Sequence, residues 1–349
     1  MQRMPGSAIA HAAVFTAGAL LGGGIAVAVS SKKNQQHPVL PTRVAPVPTT
    51  SGLQQEQQVS VQPRFVGTDV IPVSALRYGN PGPIADFIQR QAYVAAYDRR
   101  LRHPAWTAEH LTLASLGKSR VTPPEENSGG DRSNSAFKED DSLPVAFRSK
   151  LSDYFRSGYD RGHMVPAADA KMSQEAMNET FYMSNIAPQV GDGFNRHYWA
   201  YLEDWCRRLT GTFQDVYVFT VPLYLPKKDV DGKWRVTHEV IGNPPNVSVP
   251  THFAKVVLAS KPSSPLTPDQ LEVSTGAFVL PNSVIADDAP LTSFVVPVDA
   301  VERAAGLTLF SDQIKLGSKH ICQTTKCEVI VRRFDDARKN VKRITGPKS

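Results

Sequence analysis

The segments Ser157–Ala170 (SGYDRGHMVPAADA), Phe181–Asn195 (FYMSNIAPQVGDGFN) and Arg196–Arg208 (RHYWAYLEDWCRR) decide how this chain is read. Asp160, Arg161, Gly162 and His163 place an acid, a guanidinium, a flexible residue and an imidazole in consecutive positions. Asn195 follows further along, and Glu203 comes two helical turns after it. An imidazole near its own pKa can take a proton from water at neutral pH. Arginines and a divalent cation can neutralise charge gained at phosphorus. Mg²⁺ prefers oxygen ligands and keeps several waters, so one amide oxygen plus a substrate phosphate suffices. The set therefore implies hydrolysis of a phosphodiester with one metal ion. Gly162 opens backbone angles closed to other residues, so Arg161 and His163 can be aimed separately.

Together with RYGNPGP, DRSNSAFKED, PLYLPKKD, EVIGNPP and VPTHFAK, these strings carry a resemblance over about residues 77–334. The chain resembles the DNA/RNA non-specific endonucleases of the ββα-metal (His-Me finger) fold, and among them the fungal mitochondrial endonuclease G-like nucleases. A DRGH tetrapeptide alone would be a weak signal. The series DRGH, SNIAPQ, FN and E, in register, is a strong one. The resemblance implies an α+β fold with mixed or antiparallel central sheets flanked by helices. It implies that His163 is the general base, that Asn195 is the direct Mg²⁺ ligand (Mn²⁺ substituting), and that Glu203 holds a water of the ion's shell. It places Arg161 at the scissile phosphate, Arg132 on the leaving side and Arg207 on a substrate phosphate. Asp160 becomes an orienting group. It further implies DNA and RNA as substrates, 5′-phosphate products and a homodimer. One departure is visible: Val221-Pro222 stands where the family has Gly-Pro before LYLP, which puts a local turn in question.

The 349 residues carry a net charge of +6. Arg3, Lys32, Lys33 and Arg43 against Glu56 give +3 within residues 1–62, leaving +3 for the rest. So small an excess makes any nucleic-acid footprint a local patch rather than a global field. Ile9–Val29 is a weakly apolar run, ended by Ser30-Ser31-Lys32-Lys33 and long enough to span a bilayer. A membrane anchor, a secretory signal and a mitochondrial presequence compete for it. The start is free of acids up to Glu56, which, with the resemblance, favours mitochondria, with the nuclease domain at the inner membrane facing the intermembrane space. Residues 1–33 are thus read as a targeting or anchor segment, with membrane association through 9–29. Residues 34–69, rich in Gln, Pro and Ser, form a linker. The endonuclease domain spans 70–336, and 337–349 is a basic tail.

Within the domain, Ala85–Ala92 reads as a short helix or extended segment. Ala92–Arg99 and Ala105–Leu113 read as a strand pair. Arg132 follows the loop PPEENSGG. Ser173 opens a short helix, and Trp199, Leu202, Cys206 and Leu209 mark the buried face of a longer one. Strands are expected at Val216–Leu225, Thr251–Ala259, Gly276–Leu280, Phe294–Val298 and Glu328–Phe334. A capped helix is expected from Asp299-x-x-Glu302 to Gly306.

Other motifs carry less. His238-Glu239 opens like HExxH, but Gly242 fills the second histidine position, which excludes that zinc motif. Cys206 reads as a buried small hydrophobe, while Cys322 and Cys327 are left open as a short disulfide loop. Asn178 and Asn246 head glycosylation sequons that matter only on a secretory route. A secreted nuclease with the same site and a non-catalytic nucleic-acid-binding descendant stand as alternatives. The complete set of base, amide and carboxylate speaks against the second.

Overall fold

The computed structural model describes residues 81–118 and 129–331. The targeting segment, the linker and the basic tail expected from sequence lie outside the described residues. No helix among the described residues is long and apolar enough to cross a membrane.

The frame is an antiparallel sheet. Its strands β1 (Ala85–Gln89), β2 (Tyr93–Asp98) and β3 (His103–Leu111) run as a meander. Next to β3 lies not β4 (Asp160–His163) or β5 (Ile186–Gln189) but β6 (Asp215–Leu223). Beyond β6 come β7 (His252–Ser264), β8 (Thr267–Pro281) and β9 (Val295–Val296), all antiparallel. A short β10 (Lys319–His320) adds in parallel to β8. The order 1-2-3-6-7-8-9 leaves β4 and β5 free to pair with each other.

Alternation along these strands sorts two cores. The first helix is the short α1 (Gln174–Glu179); Val216 and Val218 of β6, Phe253 and Val257 of β7, and Phe278 and Leu280 of β8 face the next, α2 (Trp199–Leu209). Val221, Leu223, Ala254, Val256 and Ala277 face the other way, onto Val301 of α3 (Val298–Ala305) and Phe310. The four α2 positions expected to be buried are buried, joined by Tyr201 and Trp205. Burying each such side chain is worth about 1.5–3 kcal/mol, so α2 is clamped to the sheet.

Several expectations are refined. Ala85–Gln89 is extended, not helical. Strands β7 and β8 run well past the apolar segments, as an exposed hairpin. Val221 and Pro222 simply continue β6, where Val221 is fully buried; beyond Thr220 the strand pairs only with β7, so the proline breaks no ladder on its other side. Phe294–Val298 shrinks to a two-residue strand. α3 ends at Gly306 in the left-handed conformation, as expected, but its N-cap is Pro297 without a side-chain cap. Asp299 instead pairs with Lys315, and Glu302 accepts from the Leu309 and Phe310 N–H groups.

The expected strand at Glu328–Phe334 is not formed over Glu328–Val331, and the remainder lies outside the described residues. This segment turns its backbone to α2. Trp205 Nε1 donates to the Lys326 carbonyl at 3.0 Å and Arg208 to the Glu328 carbonyl at 3.1 Å. A Cys322–Cys327 disulfide closes the loop just before it.

The β4–β5 hairpin packs without space at Gly162. A methyl group there would lie 2.1 Å from Oε1 and 2.4 Å from Cγ of the fully buried Gln189 on the opposite strand. Gly162→Ala should therefore lose about 1–3 kcal/mol of stability in urea unfolding. Adding Gln189→Ala should return part of that loss.

Candidate active site

Three pieces of chain build the site. The β4–β5 hairpin carries Asp160, Arg161 and His163. Residues Gly191–Tyr198 lead through a kink at Asp192 and Gly193 into α2, and the two together carry Asn195, Glu203 and Arg207. The loop Asp131–Lys138 brings Arg132 and Phe137.

In β4, side chains alternate between faces, so Arg161 and His163 share one and Asp160 lies on the other. Phe137 confirms the first grouping: the Arg161 guanidinium lies 4.5 Å above its ring, and the His163 ring sits 5.3 Å away. Phe181 meets His163 edge-on at 4.8 Å and carries the Arg132 guanidinium at 5.5 Å. Two aromatic rings thus hold one imidazole and two cations. His163 is 8% exposed, and its Nε2 is buried without a hydrogen-bond partner among the described residues. Burial and then the charge of Arg132 hold its pKa down to about 3. The imidazole is therefore neutral at physiological pH.

Asp160 reaches to the helix. It accepts Asn195 Nδ2 at 2.9 Å and Arg196 Nε and Nη2 at 2.8 and 2.6 Å. Burial pushes its carboxyl up, but these hydrogen bonds and the Arg196 charge outweigh burial and hold it below the usual range. A carboxylate accepts only from the NH₂ end of an amide, so the Asn195 carbonyl oxygen is turned away from Asp160. The expected orienting role for Asp160 has this geometry. Asn195 itself is placed by a wide turn: its N–H donates to the Val190 carbonyl at 2.9 Å, past Gly193 at φ +75°. Turns of this type favour functional sites.

Glu203 lies two turns beyond Asn195. Burial pushes its carboxyl up to about 7, partly offset by Lys255 and Arg207. Arg207 donates to the buried Asp169 at 2.7 Å. Glu109 and Lys255, buried in the sheet beneath, complete a charged layer that sequence reading missed. Lys255 Nζ donates to Thr220 Oγ1 at 2.8 Å and lies 4.9 Å above the Trp199 ring. A signal for Glu109 existed: Thr107, Glu109 and Leu111 share one face of β3, and Leu111 is core.

Among the described residues, no group of three or more His, Cys, Asp or Glu could cage a metal ion. The donor set present, one amide oxygen with a carboxylate two turns away, suits a hard, largely hydrated cation such as Mg²⁺ rather than zinc.

A family model for DNA/RNA non-specific endonucleases matches residues 72–315. The chain belongs to the DNA/RNA non-specific endonuclease family. Within this endonuclease family it is similar to Nuclease 1, mitochondrial, of Schizosaccharomyces pombe, with 51% identity over 77% of this chain and 80% of that one. It is also similar to the mitochondrial nuclease of Saccharomyces cerevisiae (45% identity; 88% and 91%). A crystal structure of an EndoG/EndoGI complex matches with a TM-score of 0.59 and 46% identity, over 71% of this chain and 94% of that one. The expected α+β nuclease fold is thus borne out.

The raised pKa of Glu203 fixes a sign. In the folded, metal-free protein the proton is held up to about 7, against an ordinary 4.5. The stability this group contributes is present below about 4.5 and lost as pH rises through 7. In EDTA, Glu203→Gln should therefore raise Tm relative to the parent at pH 8 and leave it unchanged at pH 4.5, by differential scanning fluorimetry.

Proposed function

We propose that this chain is a mitochondrial, sugar-nonspecific endonuclease that hydrolyses phosphodiester bonds of DNA and RNA, using His163 as general base and one Mg²⁺ held by Asn195. The observation that carries the reading is the buried, neutral His163, held between Phe137 and Phe181 beside the Arg161 and Arg132 guanidiniums.

The residues divide the work. The His163 imidazole takes the proton of the attacking water. Arg161 and Arg132, held on Phe137 and Phe181, set positive charge around the phosphoryl oxygens. Asp160 turns the Asn195 oxygen outward, and Glu203 would reach the ion through water. Arg207 contacts a substrate phosphate. The cation, when bound, would add to the charge neutralisation that the arginines supply; Mn²⁺ should substitute for it. Nothing in this set reads a 2′-hydroxyl, which supports action on both nucleic acids.

Mitochondrial residence is supported by the acid-free start up to Glu56 and by the names of the fungal relatives. The proposed address is the inner membrane, through residues 9–29, with the domain facing the intermembrane space and acting as a homodimer. The secreted alternative fares worse. Asn246 Nδ2, the atom a glycan would need, donates to the Arg148 carbonyl and to Asp153 at 2.7 Å.

The decisive assay digests plasmid DNA and RNA with and without EDTA, using His163→Ala as control. Both substrates should be cut, EDTA should stop cutting, and His163→Ala should lose several orders of magnitude, partly restored by added imidazole. Activity on one sugar type alone, or persistence in EDTA, would reject the proposal.

A further inference from the structure

Beneath the site lies a chain of buried charged groups that the roles above do not use. Asp169 closes the turn Ala167–Asp169, six residues after His163, and is 4% exposed. It accepts Arg207 Nη1 at 2.7 Å, and the Arg207 side chain is itself only 14% exposed. Glu109, 5% exposed on β3, lies within hydrogen-bonding reach of the Asp169 carboxyl. Its Oε2 has no hydrogen-bond partner among the described residues.

We propose that Asp169 and Glu109 are positioning residues for cleavage: Glu109 donates to Asp169, and Asp169 sets the Arg207 guanidinium toward the substrate phosphate. This rests on the reading of Arg207 as a phosphate contact.

The chemistry follows from counting protons. Two carboxyl groups buried side by side cannot both be ionised, and burial followed by the Asp169 charge pushes Glu109 up, so Glu109 carries the proton. A neutral Glu109 can only donate toward Asp169, which leaves the negative charge on Asp169 for Arg207. Among the described residues that guanidinium makes a single hydrogen bond, the one to Asp169. One of its five N–H groups is thus anchored and the others remain for a planar oxyanion. Asp204, at 4.0 Å from Nη2, is too distant to fix it. Had Asp169 served only to neutralise a buried arginine, Glu109 would have no reason to lie beside it, since a second acid there costs desolvation without adding charge. Lys255, bonded to Thr220 in the same layer, lies close enough to temper Glu109 electrostatically.

A mutant cycle on the full chain tests this. Asp169→Asn should lower kcat/KM about 10–100-fold, since misplacing a substrate-positioning group costs on that order. Arg207→Ala should lose a similar factor, and Asp169→Asn/Arg207→Ala should be no worse than Arg207→Ala. Added guanidinium ion should partly restore Arg207→Ala but not the double variant, because Asp169 is its anchor. Glu109→Gln keeps a neutral donor and should stay within about threefold of the parent, whereas Glu109→Leu should fall further. If Asp169→Asn and Arg207→Ala multiply, or if guanidinium restores both backgrounds equally, Asp169 does not act through Arg207 and the proposal is overturned. Wild-type rates in Arg207→Ala would instead remove the phosphate contact itself, leaving the His163 assay untouched. Unchanged melting of Glu109→Gln controls for folding.

Discussion

The site depends on one carboxylate. Asp160 opens β4, yet its oxygens are bound by two consecutive residues at the start of the helix, Asn195 and Arg196. This ties a four-residue strand to a helix that the large sheet holds rigidly from the other side. Without that tie the Asn195 amide would lose the partner that turns its oxygen outward. Gly162, squeezed against Gln189, and the wide turn at Asn195 are the local accommodations that let strand and helix meet.

The same arrangement explains a division of environments. His163 stands on the aromatic face with Phe137 and Phe181, where burial removes its charge and leaves a lone pair. Glu203 stands over a polar layer of Glu109, Asp169, Lys255 and Arg207, where burial raises its pKa while nearby cations restrain the rise. The two groups are displaced in opposite directions, the imidazole down and the carboxyl up. Both arise from burial. They differ because desolvation disfavours the charged form of each group.

Much of this was legible in the sequence, for identifiable reasons. The α2 stripe was readable because Trp199, Leu202, Cys206 and Leu209 repeat with helical period. DRGH and SNIAPQ were readable as motifs of the family, while their pairing as a hairpin came only with the structure. What escaped was non-local or locally atypical. The first half of β8, Thr267–Glu272, is polar and exposed, so nothing in it announces a strand; pairing with β7 makes it one. Glu328–Val331 has the composition of a strand, but the α2 side chain Arg208 takes the Glu328 carbonyl. Glu109 and Asp169 look like surface acids, and only the tertiary packing of β3 and the turn Ala167–Asp169 buries them. Lys255 hides in the same way, inside the apolar run of β7.

The central claim is that base and metal ligand are separate residues. It is tested most directly by Mn²⁺ binding followed by electron paramagnetic resonance in the parent, His163→Ala and Asn195→Ala proteins, without substrate. His163→Ala should bind Mn²⁺ with the parent's affinity, and Asn195→Ala should bind it markedly more weakly. Loss of Mn²⁺ binding in His163→Ala, with binding retained in Asn195→Ala, would make the imidazole the ligand and contradict the assignment.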